Sequence, residues 1–87
     1  MLVPMISRDL LRRVKLSDRH PYYVMERGRD ALRGFGLRVH RSRVEFGIRH
    51  LRRWHHLGWT DLATVEEARS AARDLLRELR GVSKRGD

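Results

Sequence analysis

Between Arg38 and His56 the chain gathers the side-chain types that hold phosphates and read base edges: Arg38, His40, Arg41, Arg43, Arg49, Arg52, Arg53 and His56. Trp54 adds a stacking surface, and Glu45 is the single acid in that stretch. A guanidinium is a planar fork of donors that fits phosphate or guanine in a bidentate way. An indole stacks on sugar or base. Across the whole chain, 20 Lys+Arg stand against 11 Asp+Glu, a net charge of +9 in 87 residues. Such an excess is the electrostatic footprint of a polyanionic partner. Lysine occurs only at Lys15 and Lys84. A GC-rich coding bias would explain arginine replacing lysine, but it would not explain the net charge.

Other chemistries find less support. His55 and His56 are adjacent, so on a strand they point to opposite faces and cannot easily share one ion. His50 and His55 can meet across a hairpin, but no third ligand accompanies them, and no metal or cofactor site is expected. Cysteine is absent, which excludes disulfides and thiolate ligands. No Ser/His/Asp set, phosphate-cradling glycine loop or paired carboxylates stands out, and Asp61, Glu66 and Glu67 read as turn and helix-start residues. No catalytic residue is assigned.

The elements that must position these groups follow from patterning. "ISRDLLRRVKL" is a short helix capped by Ser7, with Ile6, Leu10, Leu11 and Val14 as its apolar stripe. "SDRHP" is a turn, "YYVME" a short strand or extended arm, and "RGRDALRG" a charged loop. In "GLRVH" Leu37 and Val39 face one way while Arg38 and His40 face the other, and "VEFGIRHL" puts Phe46 and Ile48 on the apolar side. A two-residue turn at Arg52-Arg53 pairs Leu51 with Trp54, His50 with His55, Arg49 with His56 and Ile48 with Leu57. That register places Leu57 with the core, Arg49, Leu51, Trp54 and His56 on the opposite face, and Trp59 among core residues. "TVEEARSAARDLLRELRG" is a helix with a Thr64/Glu67 capping box. Val65, Ala68, Ala72, Leu75 and Leu79 form its buried stripe, flanked by Ala71 and Leu76, and Gly81 is its stop.

The expected fold is α+β: a three-stranded antiparallel sheet packed on a C-terminal helix, preceded by a short N-terminal helix and a short strand. Residues 1–81 form one domain and 82–87 a flexible tail. The other sheet face is left bare, with Arg38, His40, Glu45, Arg49, Trp54 and His56 on it and Gly47 leaving a gap for close approach. A solvated face is the ordinary reading of such a row, but so many arginines and histidines with one acid favour a nucleic-acid surface.

"GFGLRV" (Gly34–Val39), "LG" (Leu57-Gly58) and "EAR" (Glu67–Arg69), in that order and spacing, resemble the N-terminal arm-DNA-binding domain of phage-type tyrosine recombinases (integrases). The likeness runs through "ISRDLLRRVKL", "YYVME", "FGIRH" and the last helix, nearly the whole chain. It implies a sheet laid in the DNA major groove, with Arg38, His40, Glu45, Gly47, Arg49, Trp54 and His56 facing the groove. The partners it implies are double-stranded DNA, with a recombinase catalytic domain or other integrase protomers beside it. The family's catalytic half needs far more chain than this, and Tyr22 and Tyr23 precede the sheet, so the chain is expected to be a DNA-binding module and not an enzyme. The length departs from the family in the "RGRDALR" loop, and His50 stands where an aromatic is usual.

Two readings compete. A small basic protein of a phage or mobile element can instead inhibit a host or defence protein, with Leu51 and Trp54 as its anchor. A double-stranded RNA reading ranks last, because the start of the last helix, "TVEEAR", is acidic where such domains use lysine. No apolar run approaches a membrane span, and "MLVPMISRDLLRRVKL" is too charged for a signal peptide, so a cytoplasmic, nucleoid-associated protein is expected.

Overall fold

A computed structural model describes residues 2–16 and 21–85. Its elements in chain order are β1 (Leu2–Val3), α1 (Arg8–Arg13), β2 (Tyr22–Glu26), β3 (Phe35–Val39), β4 (Val44–His50), β5 (Arg53–Trp59) and α2 (Val65–Arg85). The strands form one five-stranded sheet in the order β1-β2-β3-β4-β5, with β1 parallel to β2 and every other pair antiparallel. This corrects the expected three-stranded antiparallel sheet. The α+β class stands, but "YYVME" is a full inner strand and "LV" at the start adds a fifth, parallel one. The reason lies in β2 itself. Its alternation puts Tyr22, Val24 and Glu26 on the helix-covered face, and Val24 is wholly buried there, so the strand completes the core and cannot be a loose arm.

Ser7 caps α1 by accepting the Leu10 N–H at 3.2 Å, as its position before an apolar stripe predicts. The Thr64/Glu67 box also forms. Glu67 N–H donates to the Thr64 hydroxyl at 3.1 Å, and Thr64 N–H donates to the Glu67 carboxylate at 2.9 Å. The helix that follows does not stop at Gly81 but runs to Arg85; Gly86, Asp87 and the first four residues of the "SDRHP" turn lie outside the described residues. Its buried stripe is Val65, Ala68, Ala72 and Leu76. Leu75 is half-buried beside it, so the expected stripe is rotated by one residue in the third turn.

Between α2 and the sheet lie Phe35, Leu37, Val39, Phe46 and Ile48, all fully buried, with Ile6 and Val24. Phe35 and Phe46 stack with centroids 6.3 Å apart. One acid enters this core. Glu26 takes two hydrogen bonds from the Arg69 guanidinium, at 2.6 and 2.9 Å, one from Ile6 N–H at 2.9 Å and one from Leu32 N–H at 2.7 Å. Burial alone would raise the Glu26 carboxyl's pKa, but the Arg69 fork, the two backbone N–H groups and the Arg69 charge outweigh it and hold it below its ordinary value. This clamp ties α2 to β2 and to the segments before α1 and β3.

Candidate nucleic-acid interface

The uncovered face of the sheet is built by the alternate residues of four strands. β2 contributes Tyr23 and Met25, β3 contributes Gly36 and Arg38, and β4 contributes Glu45, Gly47 and Arg49. The rows across it follow the pairing: Tyr23–Arg38–Glu45–Trp59, then Met25–Gly36–Gly47–His56, then Arg49–Trp54.

The β4–β5 hairpin turns at Leu51-Arg52, one residue before the expected Arg52-Arg53 pair, so that His50 faces Arg53, Arg49 faces Trp54 and Ile48 faces His55. Leu51 and Arg52 have φ of 49° and 66°, the two positive values a type I′ turn requires. Alternation could not have told the two registers apart. Sliding the pairing by two positions leaves every side chain on its original face. Arg49, Trp54 and His56 do share the open face, but Leu51 sits in the turn and does not join Trp54. Further along, Gly47 pairs with His56 while Phe46 pairs with Gly58, so Leu57 is the extra residue of a β-bulge. Leu57 still packs against the core. The bulge changes the parity beyond it and brings Trp59 to the open face opposite Glu45, correcting its expected place in the core.

The gap expected at Gly47 is filled from within. A Cβ there would run into the Trp54 indole and come within 2.8 Å of the His55 carbonyl. Trp54 lies over this glycine and meets Tyr23 edge-on, centroids 5.2 Å apart. The trough therefore seats an indole of the same chain.

Glu45 is the organising group of the face. It is 4% exposed, and its two oxygens each receive a histidine: His40 Nε2 at 2.6 Å on Oε1 and His56 Nδ1 at 2.6 Å on Oε2. Arg38 Nε lies 3.2 Å from Oε1. Burial pushes the carboxyl's pKa up, but the hydrogen bonds of His56 and His40, the nearby polar edge of Trp54 and the charge of Arg38 together hold it below its ordinary value. The indole N–H of Trp54 is itself buried without an acceptor at bonding geometry. An ionised carboxylate only accepts, so His40 must carry its proton on Nε2 and His56 on Nδ1.

Around this hub the candidate residues divide in two. Arg38, His40 and His56 are committed to Glu45, and Arg43 lies 3.9 Å over the Trp59 ring while donating to Asp61 at 3.1 Å. His40 and His56 also flank Trp59, at 5.8 and 5.0 Å between centroids. Arg41, Arg49, Arg52 and Arg53 are exposed, and their guanidiniums make no hydrogen bond or ion pair among the described residues. Arg49 is held only by the Tyr23 ring, 5.7 Å below its guanidinium. Tyr23, Met25, Gly36 and Trp59 of the face escaped sequence reasoning. Tyr23 and Met25 would have been found by continuing the alternation of "YYVME" into the sheet, and Gly36 by that of "FGLRV"; Trp59 was hidden by the bulge.

No protein-family model, no curated protein and no solved structure matches the chain. Among the described residues no helix is long and apolar enough to cross a membrane.

Proposed function

We propose that the chain binds double-stranded DNA through the open sheet face and the β4–β5 hairpin, as the arm-site-binding module of a phage or mobile-element integrase, without catalysis of its own. The observation that carries this reading is the composition of the face. Its aromatic rings and cations surround one acid, and that acid is buried and neutralised by its neighbours, so the outward field is positive. The hairpin tip supports it. Leu51 and Arg52 adopt a left-handed backbone without glycine, a conformation L-residues avoid and one that recurs where function requires it.

The geometry narrows how DNA would be met. Five strands spaced about 4.8 Å apart span roughly 19 Å, wider than the major groove at about 12 Å, which admits a two-stranded ribbon. The outer ribbon β4–β5 would enter the groove, with Arg49 reading a base edge. Arg41, Arg52 and Arg53, at the two ends of the sheet, would hold phosphates. Arg38, His40, Glu45 and His56 would shape the face from below. On this reading the protein works in the cytoplasm with the nucleoid, beside a recombinase catalytic domain or other integrase protomers. The competing inhibitor reading loses its anchor, because Leu51 and Trp54 do not form one patch.

Arg49→Ala tests the reading. A bidentate arginine–guanine contact is worth on the order of 1–3 kcal/mol, so affinity for a selected cognate duplex should fall about 5- to 150-fold, with little change on random duplex. Equal losses on both would reduce Arg49 to a phosphate contact. Absence of duplex binding at low salt would overturn the function.

A further inference from the structure

A second basic surface lies away from the open face. Between α2 and the loop that joins β2 to β3 is an open groove of about 730 Å³. Arg33, Arg73, Arg77 and Arg80 line it, over a floor of Leu32 and Leu76. No acid lines it. Beside it lies a smaller hollow of about 340 Å³, which shares Arg33, Leu76 and Arg80 and reaches Arg49, His50 and Leu51. The two hollows thus form a continuous arginine track from the open sheet face, round the hairpin end, onto the outside of α2.

The arginines of α2 stand at i, i+4 and i+7, so they share one helix face. Like charges at that spacing destabilise a helix. The negative C-terminal end of the helix dipole offsets part of this, but none of the four guanidiniums has an ion pair or hydrogen bond among the described residues. Four unpaired guanidiniums around an apolar floor fit one ligand chemistry well: phosphates on the rim and the apolar faces of sugars on Leu32 and Leu76.

We propose that this groove is a second phosphodiester site, which takes the sugar–phosphate backbone of the same DNA beyond the segment on the sheet. The inference rests on the DNA-binding reading and extends it, since it makes the footprint longer than the sheet and routes the DNA past the hairpin end. A hold on backbone alone carries no sequence preference. The groove therefore contributes affinity and path, while the open face contributes selection.

The test compares duplexes of about one and about two helical turns, using the full chain, with affinity read by fluorescence anisotropy across a salt series. Arg77→Gln with Arg80→Gln should flatten the log-affinity against log-salt slope on the longer duplex by about 2 units, at about 0.9 per phosphate. On the shorter duplex the slope should not move. Equal flattening on both lengths, or on neither, overturns the proposal. Arg33→Gln, on the loop and outside the helix, should flatten the longer duplex's slope by about 1 unit, and circular dichroism of each variant checks that α2 is intact. Inorganic pyrophosphate supplies a readout independent of DNA. It should shift the guanidinium NMR signals of Arg33, Arg73, Arg77 and Arg80, and no shift at them overturns the site. Binding to anionic phospholipid vesicles that depends on these arginines, with duplex slopes unchanged, would reassign the groove to lipid and overturn it as well. Failure of the sheet-face reading alone looks different: Arg49→Ala would leave the short duplex unaffected while the Arg77/Arg80 effect on the long one persisted.

Discussion

Replacing Glu45 by glutamine separates two roles that the open face could assign to that residue. In one, the carboxylate accepts from a cytosine amino group in the groove; in the other, it holds the face together from below. The structure puts its side chain almost out of solvent, with His40 and His56 at 2.6 Å and Arg38 at 3.2 Å. A hydrogen bond to a charged group contributes about 1.5–3 kcal/mol. The His56 side chain is 45% exposed and its share must be discounted for solvent, whereas that of His40, at 24%, keeps most of its value. Glu45→Gln should therefore cost roughly 2–4 kcal/mol. A chain of this length has about 4–13 kcal/mol in total, and each kcal/mol moves the midpoint by about 4–8 °C. Thermal melting should show a fall of about 10–25 °C. Binding should move the opposite way. The substitution removes the one negative charge of the face and releases Arg38, so non-specific duplex affinity should rise at low salt, and the salt slope should steepen by up to about 1 unit. An unchanged melting midpoint would refute the organising role. A folded variant that loses cognate affinity would restore Glu45 to the groove as a direct reader.

The two buried acids and the hairpin tip carry further expectations. Both Glu26 and Glu45 titrate below their ordinary value in the folded chain, so the unfolded chain takes up protons first on acidification. Their contribution is complete above the ordinary carboxylate range, about 4.3, and is lost as pH falls through and below it; urea midpoints between neutral and acid pH should show this, with a shallower loss in the Glu26→Gln/Arg69→Met double variant. Arg69→Met alone leaves Glu26 a buried, uncompensated charge and should cost about 3–5 kcal/mol, more than the double variant does. At the hairpin tip, Leu51→Asn with Arg52→Gly supplies residues that accept the left-handed backbone and should stabilise by about 1–2 kcal/mol in urea unfolding. The same change should flatten the duplex salt slope by about 1 unit if Arg52 holds a phosphate.

Local signals in the chain were legible where one residue decides them. Ser7 and the Thr64/Glu67 pair cap their helices, and Leu37, Val39, Phe46 and Ile48 bury together. What escaped was non-local. The side of the sheet that receives β2, the parallel pairing of a two-residue β1, and the bulge at Leu57 all depend on contacts between segments far apart in sequence. A bulge leaves no mark in alternation except a parity change, and with Trp59 at the end of the strand there was no later residue to reveal it. Gly81 reads as a helix stop by propensity, yet α2 continues, because a single glycine costs only about 1 kcal/mol against Ala.

The motif residues behind the integrase resemblance serve the scaffold. Gly34, at φ 85°, has the Arg49 carbonyl where a Cβ would have to go, and Gly36 lies against Val24 and Met25. Arg69 of "EAR" is the buried clamp on Glu26, and Glu67 closes the cap. Gly58 of "LG" pairs with Phe46 just past the bulge. Each of these residues is explained by the scaffold. They speak for a way of folding, and a fold admits many functions. The DNA proposal therefore draws on residues outside "GFGLRV", "LG" and "EAR": Arg41, Arg49, Arg52 and Arg53, exposed and with guanidiniums free of hydrogen bonds and ion pairs among the described residues, and the left-handed tip that presents Leu51, 77% exposed, between them. The hairpin accounts for the left-handed conformation itself, but not for Leu-Arg standing there or for the exposed arginines beside it. A left-handed turn closes more cheaply with Asn-Gly, and exposed arginines add nothing to the core. Under the proposed function, phosphates flanking a DNA groove would account for both.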